Sequence, residues 1–372
     1  MRKYRNQIFI GLFIALAIYI GLLLLADSQG RLQTEGIVEQ LRAFPIILIL
    51  PLIFFQTLVI FFRFLEWHYY LGVIEARDKI SLLDSFVIFV STFTMVVSPG
   101  KAAELLKSVF LRAKSGVPIA RSAPIVLAER IVDGLAVIVI MAITLYAAGD
   151  KLNLGTYNGI NYQILSEGII YSSLAIIVTG LIVVQIQPLA YFCLNIVRRI
   201  PLVNRLHQPL VEFYESSREI FKLQHVIPMT IIGVGVYISS AAGFVVVLYG
   251  FGLDITWQVI MQSAFIVGVA SAIGALSFVP NGCEVTEISN TGMLLALVAP
   301  INPIVTGAVA AAAALIQGFF HKWFRVLVGL MVGLLFRKRL FSDDLENALE
   351  EAKSEHDAKK QAQSTIKHHP AI

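Results

Sequence analysis

The chain's chemistry-bearing residues gather in three places where apolar sequence is interrupted. The first reads Ser98-Pro99-Gly100-Lys101-Ala102-Ala103-Glu104 and continues through Lys107 and Ser108 to Arg112. On a helix, Lys101, Glu104, Ser108 and Arg112 follow i, i+3, i+7 and i+11 spacing, a polar stripe beside an apolar face of Leu105, Leu106, Val109 and Phe110. Pro99 and Gly100 break the helix before it. A helix that restarts at such a break points free N–H groups forward, and lysine and arginine on the same stripe add positive charge. Together these suit a phosphate or another anion.

The second place is Glu129-Arg130-Ile131-Val132-Asp133, inside a long apolar segment. Glu129 and Asp133 share a face at i, i+4, and Arg130 reaches Asp133 at i, i+3. A charge near the centre of a membrane helix costs roughly 2.5–3.5 kcal/mol on insertion scales, so three of them face the interior or pair. Two readings stand: an ion-pair cluster pinning helices together, or a polar lining for a headgroup path. The third place, Pro280-Asn281-Gly282-Cys283-Glu284-Val285-Thr286-Glu287, repeats the plan of the first: an apolar half-helix, proline and glycine, then Glu287 opening the next helix. Paired interruptions of this kind in two halves of a chain point to a transporter's central site, with Pro99, Gly100 and Pro280 as the breaks. An ordinary loop at a membrane face is the alternative.

Other chemistries find little support. His68, His207, His225 and His321 are dispersed, and the two cysteines, Cys193 and Cys283, form no CxxC pair. No metal site, no cofactor and no nucleic-acid partner is expected, and no glycine-rich nucleotide loop occurs in the sequence.

The elements that must position these residues are membrane helices. The 372 residues are 57% hydrophobic and only 15% charged, with mean hydropathy +0.77; soluble domains carry roughly 25% charge. Apolar runs long enough to cross ~30 Å of hydrocarbon recur. The first, Ile8–Ala26, follows Arg2, Lys3 and Arg5; at 19 residues it exceeds a signal peptide's core of ~7–15, and it reads as an uncleaved span. Further spans are predicted at Phe44–Phe64, at Ser122–Ala148 with Ser122 as N-cap, and at Ile164–Ile186, Val226–Gly250 and Trp257–Val279. Phe86–Val97 is too short to cross and reads as half of a re-entrant helix. Pro188–His225 reads as one amphipathic interfacial helix, with Leu206, Leu210, Phe213, Tyr214, Ile220 and Phe221 on its apolar face. The last block, Ile304–Phe336, is interrupted by His321, Lys322 and Arg325 and reads as two crossings or one tilted helix.

The predicted fold is therefore all-α, a polytopic transmembrane bundle of about eight crossings plus two broken or re-entrant helices. Lys/Arg clusters at the N-terminus, between Arg198 and Lys222, and at Arg337–Arg339 place both termini on the cytoplasmic side of the inner membrane. The tail from residue 341 is charged and poor in apolar residues; from Arg337 onward positive and negative residues balance, so it is no polybasic lipid anchor.

With Arg63 and Trp67 at the end of the second span, these motifs resemble the lysylphosphatidylglycerol synthase transmembrane region, or flippase-like domain, over about residues 8–336. The family's second motif is usually Pro-Gly-Gly-x-Gly before the glutamate; here Asn281 and Glu284 replace glycines. The bifunctional members' large soluble aminoacyltransferase domain has no counterpart in the residues after Phe336. The resemblance implies a flippase-like domain over 1–340, a cytoplasmic tail over 341–372, and translocation of an anionic phospholipid or a polyprenyl-phosphate-type lipid-linked sugar. Lys101, Lys107, Arg112 and Arg130 would meet the headgroup phosphate. Glu104, Glu129, Asp133 and Glu287, with Asn281 and Gly282, would complete the site. The rival readings are a non-catalytic membrane partner of a glycosyltransferase or lipid-synthesis enzyme, and a membrane-embedded headgroup transferase.

Overall fold

The computed structural model describes residues 36–95, 106–148, 152, 156–157, 160–199, 206–277 and 285–340. The expected first span, the tail from 341, and Pro99, Gly100, Lys101, Glu104, Pro280, Asn281 and Gly282 lie outside the described residues.

A short helix α1 (Ile37–Ala43) leads through a 3-10 turn, Ile46–Leu48, into α2 (Ile49–Val73). Then come α3 (Leu82–Ser91), prolonged by a 3-10 turn at Thr92–Met95, and α4 (Leu106–Ser115). The short α5 (Ile119–Ser122) precedes the long α6 (Pro124–Ala148). A two-residue ribbon, Thr156–Tyr157 against Ile160–Asn161, joins α6 to α7 (Tyr162–Gln185). Two amphipathic helices follow, α8 (Gln187–Arg199) and α9 (His207–Ile220), then α10 (Leu223–Gly250) and α11 (Trp257–Leu276). Next, α12 (Val285–Met293) runs on through a π turn at Leu294–Val298. The last rod comprises α13 (Gly307–Gly318), a second π turn (Phe319–Phe324) and α14 (Arg325–Leu335), with α15 (Arg337–Leu340) at its end.

Among the described residues five helices are long and apolar enough to cross a membrane: Ile46–Val73, Gln163–Gln185, Leu223–Gly250, Trp257–Ala275 and Gly307–Leu335. The chain is thus an all-helical membrane bundle. Caps start several helices where the sequence offers them: Ser81, Asn161, Thr256 and Thr306 each accept a hydrogen bond from the backbone N–H three residues on.

Two expectations change, and one open choice is decided. Ser122 does not cap α6; helix begins earlier, at Ile119 behind Pro118, and the buried Ser122 hydroxyl bonds back to the carbonyls of Pro118 and Ile119. The segment expected as one interfacial helix contains two helices, with Pro201, which lacks an N–H, between them in sequence. Its expected apolar face is also divided: Ile220 and Phe221 are buried, while Leu206 and Leu210 are exposed. Of the two readings of the last apolar block, the single helix holds: it is one continuous rod of 29 residues. Its charged interruption is absorbed by the π turn, which widens the helix for one turn without ending it.

Contacts sort the helix termini into two ends. At one, Phe44 packs on Phe251 with ring centroids 5.4 Å apart, Gly36 faces Ala308, and Gln262 Nε2 donates to the Leu297 carbonyl at 2.9 Å. At the other, Arg339 pairs with Asp84 at 2.6 Å, Arg121 with Glu75 at 2.9 Å, and Gln185 Nε2 donates to the Arg218 carbonyl. The arms α3 and α4 therefore both open toward the second end. The arms α11 and α12 both open toward the first. Re-entrant units were expected around both interruptions; that the two hairpin-like helix pairs open toward opposite ends, with the expected Trp257–Val279 span as one arm, was not.

Each end has its own apolar core. One gathers around Phe244, Phe265, Met141 and Leu297; the other gathers around Trp67, Tyr70, Phe89 and Leu111. Along α6 the second core ends at Val132 and the first begins at Ala136, so Asp133 sits at their junction. Side chains such as Ile46, Leu50, Phe54, Ile176, Ile182 and Ile231 remain exposed, as expected of a lipid-facing surface.

Helix approach at the second end depends on Gly329 of α14. A Cβ there would stand 2.7 Å from the Val90 carbonyl and 3.1 Å from the Phe93 Cβ. Gly329→Val should therefore lower the thermal midpoint in detergent, by overpacking of about 1–3 kcal/mol. Gly292→Ala, with open space around it, should leave that midpoint unchanged or raise it; equal losses in both variants would show that the α3–α14 contact does not need the glycine.

Candidate functional site

Charged side chains from both hairpins and from α2, α6 and the last rod meet between the two cores. The depth follows from helix arithmetic. Lys322 lies 15 residues into the Gly307–Leu335 rod, ~22 Å at 1.5 Å per residue and close to the rod's middle.

The first cluster joins α2, α4 and α6. Lys107 Nζ donates to both carboxylate oxygens of Glu129, at 2.8 and 3.0 Å, with both side chains buried. The same ammonium lies over Phe89 at 4.9 Å and over Trp67 at 5.5 Å from the ring centroids, so aromatic faces supply what water would have supplied. Trp67 is itself fixed by its indole N–H, which donates to Ser85 Oγ at 3.1 Å. Asp133 takes two arginines: Arg63 Nη1 at 3.0 Å and Arg130 Nη1 at 3.1 Å. Arg130 also reaches Glu129 at 3.9 Å and remains 38% exposed, toward the cavity described below.

The second cluster mirrors the first with the charges exchanged. On α12, Glu287 receives Lys322 Nζ at 2.8 Å on each carboxylate oxygen, and Thr286 Oγ1 accepts from the same ammonium at 2.6 Å. The hairpin arm supplies the anion here and the following long helix the cation; in the first cluster α4 supplies the cation and α6 the anion. Gly318 is needed for this closure, because a Cβ at that position would run into the Glu287 carboxylate. One turn beyond Lys322, Arg325 donates from Nε to the His321 carbonyl at 2.5 Å. It has no carboxylate within ion-pair distance among the described residues.

A cavity of about 460 Å³ lies between the clusters, within the ~300–1,000 Å³ range of small-molecule sites. Its described wall carries five cations, Arg63, Lys107, Arg130, Lys322 and Arg325, against two carboxylates, Glu129 and Asp133. The rest is mostly apolar, contributed by α6, α7 and α11, with Tyr237, Ser240, Asn290 and Gln317 adding polar atoms. The cavity is therefore a positive pocket at membrane depth, suited to an anionic group carried on an apolar body.

Of the expected site residues, Lys107, Glu129, Arg130 and Asp133 line this cavity together, and Glu287 holds Lys322 at its edge. Arg112 is not brought in: it lies on the outer turn of α4 and is exposed. Sequence reasoning did not assign Arg63, Lys322, Arg325 or Gln317 to the site. The signal was present in three of them, as cations inside apolar stretches, but the carboxylates that pair with Lys322 and Arg63 are 35 and 70 residues away.

A family model described as Lysylphosphatidylglycerol synthase TM region matches residues 9–329. No curated protein and no solved structure matches the chain.

Breaking a buried pair on one side leaves an uncompensated charge and costs about 3–5 kcal/mol, whereas replacing both partners is close to neutral. Lys322→Met should thus destabilise strongly in a detergent melt, and Glu287→Gln with Lys322→Met should recover most of the loss. Failure of the double variant to recover would show that the pair is not what holds α12 on the rod.

Proposed function

This chain belongs to the lysylphosphatidylglycerol synthase TM region family, of membrane proteins tied to lipid metabolism or flipping, and we propose that it translocates a phosphate-bearing lipid across the membrane. The observation that carries this reading is the cation surplus on a cavity wall at membrane depth, with Arg325 lacking a carboxylate partner among the described residues. Lys107 and Lys322 are already neutralised by buried glutamates. Arg325 and the partly exposed Arg130 are therefore the groups that meet a headgroup phosphate, and Arg63 stands behind them on Asp133.

The lipid's chains need a way out of the same cavity. The helix α7 offers it: Ile169, Ser173, Ile176 and Ile177 line the cavity, yet only 11% of its apolar window is buried. It packs chiefly on α6 and makes no extensive contact with α11, which forms the facing wall. A chain passing between α7 and α11 reaches lipid while the headgroup stays among the cations.

Orientation follows from the two ends. The end formed by α5, α8, α9 and the rod's terminus carries Arg77, Lys79, Lys114, Arg121, Arg198, Arg218, Lys222 and Arg337–Arg339. At the opposite end the described residues offer Arg42 beside Glu39 and Asp254. The positive-inside rule makes the first end cytoplasmic. With residues 8–26 as a crossing and the two hairpins returning to their own sides, six crossings keep both termini in the cytoplasm.

Liposomes holding the purified protein should exchange a fluorescent anionic phospholipid between leaflets faster than empty liposomes. Arg325→Ala should slow that exchange about tenfold or more, the worth of a charge-assisted hydrogen bond. No acceleration by the wild-type protein would refute the reading, and a new lipid species on chromatography would move it to headgroup transfer. Alkaline phosphatase fused after Arg339 should be inactive and after Asn302 active; the reverse pattern would invert the orientation.

A further inference from the structure

One buried carboxyl is not used by the site as described. Glu66 follows Arg63 by one turn on α2 and is 0% exposed. Neither of its carboxylate oxygens has a hydrogen-bond partner among the described residues, and no ion pair reaches it. It is not part of the cavity wall. Tight packing surrounds it: a Cβ on Gly233 of α10 would lie 3.3 Å from its Oε1. The charged and titratable groups facing it are Arg63 and Tyr70 on its own helix, and Glu129, Arg130 and Asp133 on α6. Tyr237 of α10 lies beyond Arg63, and the π turn packed against α2 brings His321 and Lys322. The Tyr70 hydroxyl is likewise without a partner.

An ionised carboxylate in such a place, with no donor and no counter-ion, is the costliest state it could adopt, and neutralisation by a proton removes that cost. The counter-ion it lacks is close by. Arg63 is committed to Asp133 through Nη1, while its buried Nε has no partner among the described residues. Asp133 does not depend on Arg63 alone, because Arg130 also pairs with it. One guanidinium thus stands between two carboxyls, one of which has a second partner and the other none.

We propose that Glu66 is a proton-binding site that couples lipid movement to proton movement, loading and releasing one proton as Arg63 exchanges Asp133 for Glu66. With Arg63 on Asp133, Glu66 is a neutral carboxylic acid. When Arg63 turns to Glu66, the O–H bond breaks, the proton passes to water in the cavity beyond Arg63, and the carboxylate takes the guanidinium as its counter-charge. Asp133 keeps Arg130. The site is one charge more positive with the proton on, so an anionic headgroup and the proton favour each other's binding, and by linkage the effect is reciprocal. One anionic lipid then moves with one proton, electroneutrally. The proposal rests on the lipid-translocation reading.

The test uses the full-length protein in liposomes with a fluorescent anionic phospholipid and a pH difference of about one unit. One proton per lipid drives the probe toward the leaflet facing the alkaline side, approaching about a tenfold ratio per pH unit. The ratio is read by chemical quenching of the outer leaflet. Wild type should show this skew and Glu66→Gln should show none. A skew retained in Glu66→Gln, or no skew in wild type that does exchange the probe, overturns the coupling. A second measurement needs no lipid movement. Infrared difference spectra of the purified protein should contain a protonated carboxylic-acid band that Glu66→Gln removes. If that band is missing in wild type or persists in the variant, the proton site itself is refuted. Because glutamine mimics the neutral acid, Glu66→Gln should fold with wild-type stability, and a large drop in Tm would also count against a protonated Glu66. Liposomes in which wild type moves no lipid would sink the translocation reading, while the infrared band still decides the proton site.

Discussion

Everything in this bundle depends on how its buried charges are neutralised. A bilayer offers no water at mid-depth, so each ammonium, guanidinium and carboxylate there must find an opposite charge or a close set of donors. Lys107 with Glu129, Lys322 with Glu287, and Asp133 with its two arginines meet that requirement. The two lysine pairs each tie a short helix to a long one, and Arg63 with Asp133 ties α2 to α6, so electrostatic satisfaction and helix placement are the same event. The apolar cores on either side could be repacked with similar residues at modest cost. The clasps could not be opened on one side alone.

The short helices are tolerable for the same reason. An apolar helix of ten or so residues cannot cross by itself, and its unpaired ends would be costly against lipid. Packed among longer helices, with a buried ion pair anchoring α4 and another anchoring α12, the short α3, α4 and α12 meet protein partners that lipid would not supply. The π turn at Phe319–Phe324 serves the second clasp, since it carries Lys322 in the middle of the rod. Gly318 removes the one side chain that would have blocked Glu287. A cation surplus is left on the described part of the cavity wall, and the proposed anionic headgroup would meet it there.

Much of this was legible in the sequence because membrane burial writes strong signals. Long apolar runs mark crossings, and the short Phe86–Val97 run with its proline and glycine marked a re-entrant unit. The i, i+3 and i, i+4 spacing of Glu129, Arg130 and Asp133 announced a common face, and the pairing of Arg130 with Asp133 follows directly from helix geometry. The segment Pro188–His225 was readable as amphipathic helix, although its division into two helices was not. Arg112 misled because periodicity gives the face of a helix but not how far along it the protein's interior extends; the outer turn of α4 is already at the surface.

By itself, then, the sequence determined the class of the protein, the location of its helices and the local pairs within a turn or two, because those depend on hydropathy and on a repeat of 3.6 residues. Tertiary structure alone decided which distant charges meet. Lys107 finds Glu129 across 22 residues, Glu287 finds Lys322 across 35, and Arg63 finds Asp133 across 70. It also decided that the last apolar block is one rod, that Gly318 is a clearance, and that Glu66 has no partner among the described residues beside an arginine committed elsewhere. Coulombic interaction acts through space whatever the chain separation, so one-dimensional spacing carries no record of it until the helices are packed.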